Sequence, residues 1–237
     1  MLRVSLEPAY VLHGRPYRES SLLLEAFTRD HGRVGLVARS ARGPRSRWKS
    51  VLQPFRPLLL SWNQRGELGT LTAADQVASP PAAQGEAIFC GLYINELLMR
   101  GLHRSDAHPE LFESYRQLLA ELLLSQRPEP VLRTFEKQLL DALGFGLQLE
   151  CEHDTGLPVT AAGWYDYIPE RGLVRLSKTP AAGSDVVEAR LVSGAALLAL
   201  QSNSIAEEHQ PELKRLMRRA LKHHLGDKPL VSQALFQ

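Results

Sequence analysis

The chain is poor in cysteine: Cys90 and Cys151 are its only two, far apart and in unlike surroundings. That excludes a disulfide framework and reads as two buried, reduced thiols of a cytoplasmic protein. No run of about 18 apolar residues occurs, which excludes a membrane-spanning helix, and Arg3 and Glu7 interrupt the apolar segment a secretory signal would need. Enzyme signatures are missing too: there is no phosphate-binding Gly-x-x-x-x-Gly-Lys-Ser/Thr, no dinucleotide Gly-x-Gly-x-x-Gly, no His-Glu-x-x-His and no Gly-x-Ser-x-Gly. No acidic motif falls beside the basic strands to suggest a nuclease. Cys151 with His153 and the adjacent Asp154 is the nearest approach to a metal cluster, and it lacks the four, usually paired, ligands of structural zinc. The expectation is a non-catalytic protein without metal or cofactor.

Acids are scarce where bases are dense. Residues 1–65 carry twelve Lys and Arg against Glu7, Glu19, Glu25 and Asp30, a balance of +8 inside a chain whose total is +2. The remainder therefore carries −6. Such a split points to a polyanionic partner for the first part.

The first 75 residues read as short strands. Val34, Leu36 and Ala38 alternate with Arg33, Gly35, Val37 and Arg39, the period of a half-buried strand. Leu22 to Thr28 is an apolar run suited to a barrel wall, and Arg29-Asp30-His31-Gly32 is the turn between them. Further strands are expected at 10–14, 57–62 and 68–72. Five strands without intervening helices fit a small antiparallel barrel of the SH3-like or OB type. At Ser79-Pro80-Pro81 the period changes to that of helices, dividing the chain into a β-domain over 1–79 and a mainly helical domain over 82–237. Helices are expected from about 88, from Pro109, and from Glu129 to a stop at Gly144. An irregular insert at about 146–180 contains a hairpin across Pro169-Glu170-Arg171-Gly172. Ser193 is placed to cap another helix, and Pro211 opens a last one that ends at Gly226. The class is α+β.

The segment from Arg39 to Lys49 holds Arg39, Arg42, Arg45, Arg47 and Lys49 with no acid among them, and Gly43-Pro44 makes it a loop. Such a loop suits a phosphate chain, each contact releasing counterions. Trp48 is open to two readings, a stacking platform for a base or an anchor pinning the loop to the barrel. Arg15, Arg33 and Arg39 extend the charge if they face outward. Near the C-terminus Arg215, Arg218, Arg219 and Lys222 line one face of an amphipathic helix: a solvated face, a second DNA contact, or a site for an acidic partner. Arg133, beside the core position Leu132, either clamps a carboxylate of a partner or pairs with Glu136 or Glu129.

With these residues in view, Tyr10-Val-Leu-His-Gly-Arg-Pro-Tyr-Arg-Glu-Ser-Ser-Leu-Leu-Leu24 followed by Phe27-Thr-Arg-Asp-His-Gly-Arg-Val34 resembles the N-terminus of the RecO family of bacterial DNA repair proteins. Leu36 to Arg42, Leu52 to Phe55, Gly91 to Leu98, Arg133 to Gly146, Lys228-Pro-Leu230 and Leu235-Phe236 continue the resemblance in order. It implies an N-terminal OB-fold followed by a helical domain. It also implies binding of single- and double-stranded DNA, annealing without ATP, and roles in DNA damage repair and recombination in the nucleoid-associated cytoplasm. Implied partners are RecR, the acidic C-terminal tail of the single-stranded DNA-binding protein, and, indirectly, RecA. By the resemblance Arg15, Arg33 and the Arg39–Lys49 loop match the DNA-binding surface, and Arg133 a place for the acidic tail. Some members have a four-cysteine zinc site where this chain offers only Cys151, so the metal is not carried over.

Overall fold

The computed structural model describes residues 1–78, 85–124, 127–177 and 190–232. Five strands open the chain: β1 (Leu2–Tyr17), β2 (Ser21–Thr28), β3 (Gly32–Ala38), β4 (Leu58–Gln64) and β5 (Leu68–Gln76). β1 is far longer than its sequence pattern suggests because it serves two neighbours, pairing with β4 through residues 2–9 and with β2 through residues 9–17. Register shifts at Val4/Glu7 and Val11/His13 bend it from one to the other. The pairing order β1-β2-β3-β5-β4 closes on β1 as a barrel. One expectation is corrected: the strands are not all antiparallel, because β3 and β5 run parallel from Gly35↔Leu68 to Val37↔Thr70. A closed ring of an odd number of strands cannot alternate direction throughout. One parallel pair is the minimum.

Barrel interior and exterior follow the period of two. Leu24, Ala26, Val34, Leu36, Ala38, Leu60, Trp62 and Leu71 fill the inside. On β2 the intervening residues Leu23, Glu25 and Phe27 are buried too, so this strand is covered on both faces. The cover is α1 (Glu86–Gly101) and α2 (Pro109–Leu124). Tyr10 lies with ring centroids 5.5 Å from Phe112 and 5.1 Å from Tyr115, and Phe27 lies 5.4 Å from Phe112. Each such side chain contributes about 1.5–3 kcal/mol by burial. At the second β1 bulge the Leu12 carbonyl accepts the Asn95 side-chain amide at 2.9 Å, and the Tyr115 hydroxyl donates to Asn95 Oδ1 at 2.6 Å. Burial pushes the Tyr115 phenol well above its ordinary range.

The loop between α1 and α2 is tied to β3. Ser105 N–H donates to the Arg33 carbonyl at 3.0 Å, and Gly32, with φ 64°, backs so closely on the Asp106 backbone that a side chain there would collide with it. Gly91 on α1 lies against the Phe55 ring, which would stand 2.7 Å from a Cβ at that position. Residues 229–232 return to α1. The Val231 and Ser232 amides and the Ser232 hydroxyl donate to Glu96, and Arg100 joins Glu96 to the Pro229 carbonyl. Burial opposes the Glu96 carboxylate, but the Ser232 and Val231 donors outweigh it and hold the carboxyl below its ordinary range.

The chain forms two compact units, Met1–Ser125 with Pro229–Gln237, and Gln126–Lys228. The first two helices thus pack with the barrel. The expected break at Ser79-Pro80-Pro81, residues 178–180 of the insert and the Leu235-Phe236 segment lie outside the described residues. In the second unit are α3 (Glu129–Ala142), the strands β6 (Trp164–Ile168), β7 (Gly172–Arg175) and β8 (Leu191–Ser193), α4 (Gly194–Gln201) and α5 (Gln210–Leu225). The hairpin lies where its turn residues place it, and β8, which the sequence pattern did not suggest, completes a sheet of order β7-β6-β8. Ser193 caps α4, accepting from Ala196 N–H at 3.2 Å, and Gly226, with φ 90°, follows α5. α3 packs on α5, and Leu132, Phe135 and Leu139 on one helix and Leu213, Leu216 and Met217 on the other are all buried.

Candidate nucleic-acid interface

The loop after β3 is charged outside and apolar underneath. Ala41, Trp48 and Leu52 belong to the barrel core, and short hydrogen bonds such as Ser46 N–H to Gly43 O and Leu52 N–H to Trp48 O coil the segment over the barrel. Trp48 is 7% exposed and its indole N–H donates to the Arg39 carbonyl at 3.1 Å. Of the two readings of this residue, the geometry fits the anchor: a ring in the core offers no face to a base. Arg47 lies over the ring, 4.3 Å from its centroid, and donates to the Thr72 carbonyl of β5 at 3.3 Å.

Of the charges that remain outside, Arg47 and Arg42 are held by hydrogen bonds. Arg42 N–H donates to the Ser20 carbonyl at 2.9 Å, and its guanidinium reaches the Arg18 and Glu19 carbonyls. This brings the turn at the end of β1, with Arg15 and Arg18, against the loop. Arg39, Arg45 and Arg47 line a depression of about 420 Å³ together with Ser40, Ser46, Trp48 and Leu71. Arg15, Arg18, Arg39, Arg42, Arg45, Arg47 and Lys49 form no ion pair among the described residues, and all seven are exposed. Three of the four acids of residues 1–65 are engaged elsewhere, while Glu19, in the turn after β1, is exposed and forms no ion pair among the described residues. Asp30 holds Arg29 at 2.9 Å, Glu7 is buried and accepts the Asp30 amide, and Glu25 is buried with Arg33.

Arg33 is therefore corrected from its expected place. Its side chain is 17% exposed, Nη1 stands 3.2 Å from Glu25 and Nε donates to the Leu102 carbonyl at 3.0 Å, while Arg104 takes the other Glu25 oxygen. The outward face of β3 at that point is covered by the α1–α2 loop, so Arg33 is a strut. Sequence reasoning missed Glu25 as its partner, although one carboxylate inside the apolar run of β2 was the available signal.

The partner-binding candidates separate in the same way. Arg133 is 5% exposed and paired with Glu136 at 2.9 Å on the next turn of α3, so it is corrected from a surface clamp to a buried internal pair. Arg219 is half-buried, 3.0 Å from Asp166 and over the Tyr167 ring; burial holds its guanidinium below the ordinary range, and Asp166 offsets this only in part. Lys222 pairs with Asp227 at 3.3 Å. Arg215 and Arg218 are exposed and form no ion pair among the described residues. Cys151 is a free, half-buried thiol near His153, and among the described residues no three His, Cys, Asp or Glu side chains are placed to hold a metal ion. No helix among the described residues is long and apolar enough to cross a membrane.

A barrel bearing a fixed, acid-free basic loop, joined to helices and a small sheet, places this chain in the α+β class. Comparison with known proteins assigns the family. The model described as "Recombination protein O N terminal" matches residues 1–80, and "Recombination protein O C terminal" matches residues 82–234. The chain is 46% identical over 237 residues, all of its own length and 94% of the relative's, to a protein of Nitrosococcus oceani named DNA repair protein RecO. Proteins of the same name from Coxiella burnetii and Alkalilimnicola ehrlichii are 46% and 48% identical over 98% and 99% of this chain, spanning 98% and 92% of their own. The chain belongs to the RecO family.

Proposed function

We propose that this chain is a DNA repair and recombination protein that grips DNA phosphates on the basic end of its barrel and brings complementary strands together without ATP. The observation that carries this reading is the loop of residues 39–49: its apolar side chains are buried in the barrel while Arg39, Arg42, Arg45 and Lys49 stay exposed and without a carboxylate. An array of that kind on an anchored loop binds a polyanion without reading sequence, because phosphates rather than base edges are contacted. Charge neutralisation lowers the repulsion between two strands, and pairing then proceeds by itself. No bond is made or broken by the protein.

The barrel is of the OB type on this reading. Its strand order, its long bent β1 shared by two neighbours and its parallel β3–β5 closure support that assignment. The relatives' name supports a repair role, and with it work in the nucleoid-associated cytoplasm on single- and double-stranded DNA, strands coated by the single-stranded DNA-binding protein included. RecR, and RecA indirectly, are the proposed co-workers. The acidic tail of the coating protein is assigned to the free face of α5, where Arg215 and Arg218 stand, since Arg133 is enclosed.

The test combines binding and annealing. Among the described residues Arg39, Arg45 and Lys49 hold nothing else by their side chains, so replacing all three with alanine should leave folding intact. The triple variant is expected to lose about 10- to 100-fold in affinity for a single strand at low salt, with a matching fall in ATP-free annealing rate. Unchanged affinity would sink the reading.

A further inference from the structure

We infer that the depression formed by Arg39, Ser40, Arg45, Ser46 and Arg47 is a seat for the terminal phosphate monoester of a DNA strand, so that this protein distinguishes phosphorylated strand ends from bare ones. The inference rests on the nucleic-acid reading above and deepens it.

Arg39, Arg45 and Arg47 all line one depression of about 420 Å³, and none of them forms an ion pair among the described residues. That volume lies within the range of small-ligand sites and leaves room for a phosphate with the sugar that carries it. An internal phosphodiester brings one negative charge, whereas a terminal monoester brings close to two near neutral pH and three oxygens able to accept from guanidinium forks. Three cationic residues with no acid among those that line the depression match the second better than the first. Two serine hydroxyls at the rim add donors suited to phosphate oxygens.

The depression is built to read phosphate and not a base. Its one aromatic ring, Trp48, is buried in the barrel core and covered by Arg47, so stacking is closed off. Arg47 is held in place by the ring and by the Thr72 carbonyl, which fixes one wall. Ser40 is held with φ 54°, a left-handed conformation that a serine adopts at a cost, and it stands on the rim between Arg39 and the rest of the loop. Arg39 and Arg45, by contrast, form no side-chain hydrogen bond among the described residues, which leaves their donors for a ligand.

The experiment measures binding of one unstructured single strand in three forms: 5′-phosphate, 3′-phosphate and hydroxyl at both ends. The full chain is compared with Arg39→Ala/Arg45→Ala. The wild type is expected to bind one of the phosphorylated forms about five- to tenfold more tightly than the hydroxyl form, and the favoured form tells which end is seated. The preference should shrink as pH falls through about 6, where the monoester gives up its second charge. In the double variant the hydroxyl strand should bind more weakly, through the remaining cations, and the ratio of phosphorylated to hydroxyl affinity should fall to about one. Equal affinity of the wild type for all three forms overturns the seat but leaves general binding standing, as does a preference that survives in the double variant. Failure of the wild type to bind any of the three overturns both this inference and the function it rests on.

Discussion

Replacing Glu25 with alanine is expected to destabilise the fold by about 3–5 kcal/mol, because it strands Arg33 as a buried charge without its counter-ion. Glu25 is the one carboxylate on the covered outer face of β2, and its side chain is 11% exposed. It answers two guanidiniums, Arg33 from β3 and Arg104 from the loop between α1 and α2. Without it, Arg33 keeps only neutral partners, the Leu102 carbonyl and the weakly accepting Met99 sulfur. A small domain is stable by about 5–15 kcal/mol, so a loss of this size moves the urea midpoint far enough to be unmistakable. The companion change Glu25→Leu with Arg33→Met removes the two more enclosed charges, leaves only the more exposed Arg104 to solvent, and should recover much of the loss. A shift within about 0.5 kcal/mol for Glu25→Ala would mean that Arg33 is solvated in the folded protein and belongs with the DNA-binding charges after all.

The second large effect is expected in α3. Glu136→Ala should destabilise by about 3–5 kcal/mol, since the Arg133 side chain is only 6% exposed and Glu136 is fully buried. Arg133→Met should cost less. The glutamate left behind can take up a proton and become neutral, an escape not open to a guanidinium, and the methionine fills most of the arginine stem's volume. Thermal unfolding of the two variants side by side checks the order. If Arg133→Met proved neutral for stability yet abolished binding of an acidic peptide, the arginine would be a surface clamp and its burial would be wrong.

Much of this fold is legible from periodicity, and the failures have physical causes. The alternation at 33–39 and the apolar run at 22–28 announce β3 and β2. The first eight residues conceal half of β1, because Leu6 lies at φ 54° and the register shift beside it breaks the period of two. The basic loop is visible as composition. That Trp48 anchors it is not, because the choice between a stacked and a buried indole depends on how the loop closes over the barrel. Arg33 and Arg133 show the same limit from two sides. Besides Glu25 on the neighbouring strand, Arg33 bonds the carbonyl of Leu102, 69 residues along the chain and beyond any local pattern. The pairing of Arg133 with Glu136 is local and readable as a spacing, but only packing against the rest of the second unit decides that it is internal. Alternation along β3 puts Arg33 outside and spacing leaves Arg133 between a partner's carboxylate and an internal pair, because neither pattern tells what packs over the residue.

On the proposed function, unpaired cations at one end of the barrel grip DNA, and total positive charge does not. The direct test is the slope of log K against log salt for single-stranded DNA in three proteins: the wild type, the Arg39→Ala/Arg45→Ala/Lys49→Ala variant, and an equal-charge control. The control replaces with glutamine Arg29, Arg116 and Arg127, each already held by an exposed carboxylate, Asp30, Glu113 and Glu207. The loop variant should flatten the slope by about 2, at about 0.7 for each phosphate it no longer neutralises, while the control keeps the wild-type slope. Equal flattening in both variants, or a loop variant with the wild-type slope, would contradict that reading of the barrel's basic end.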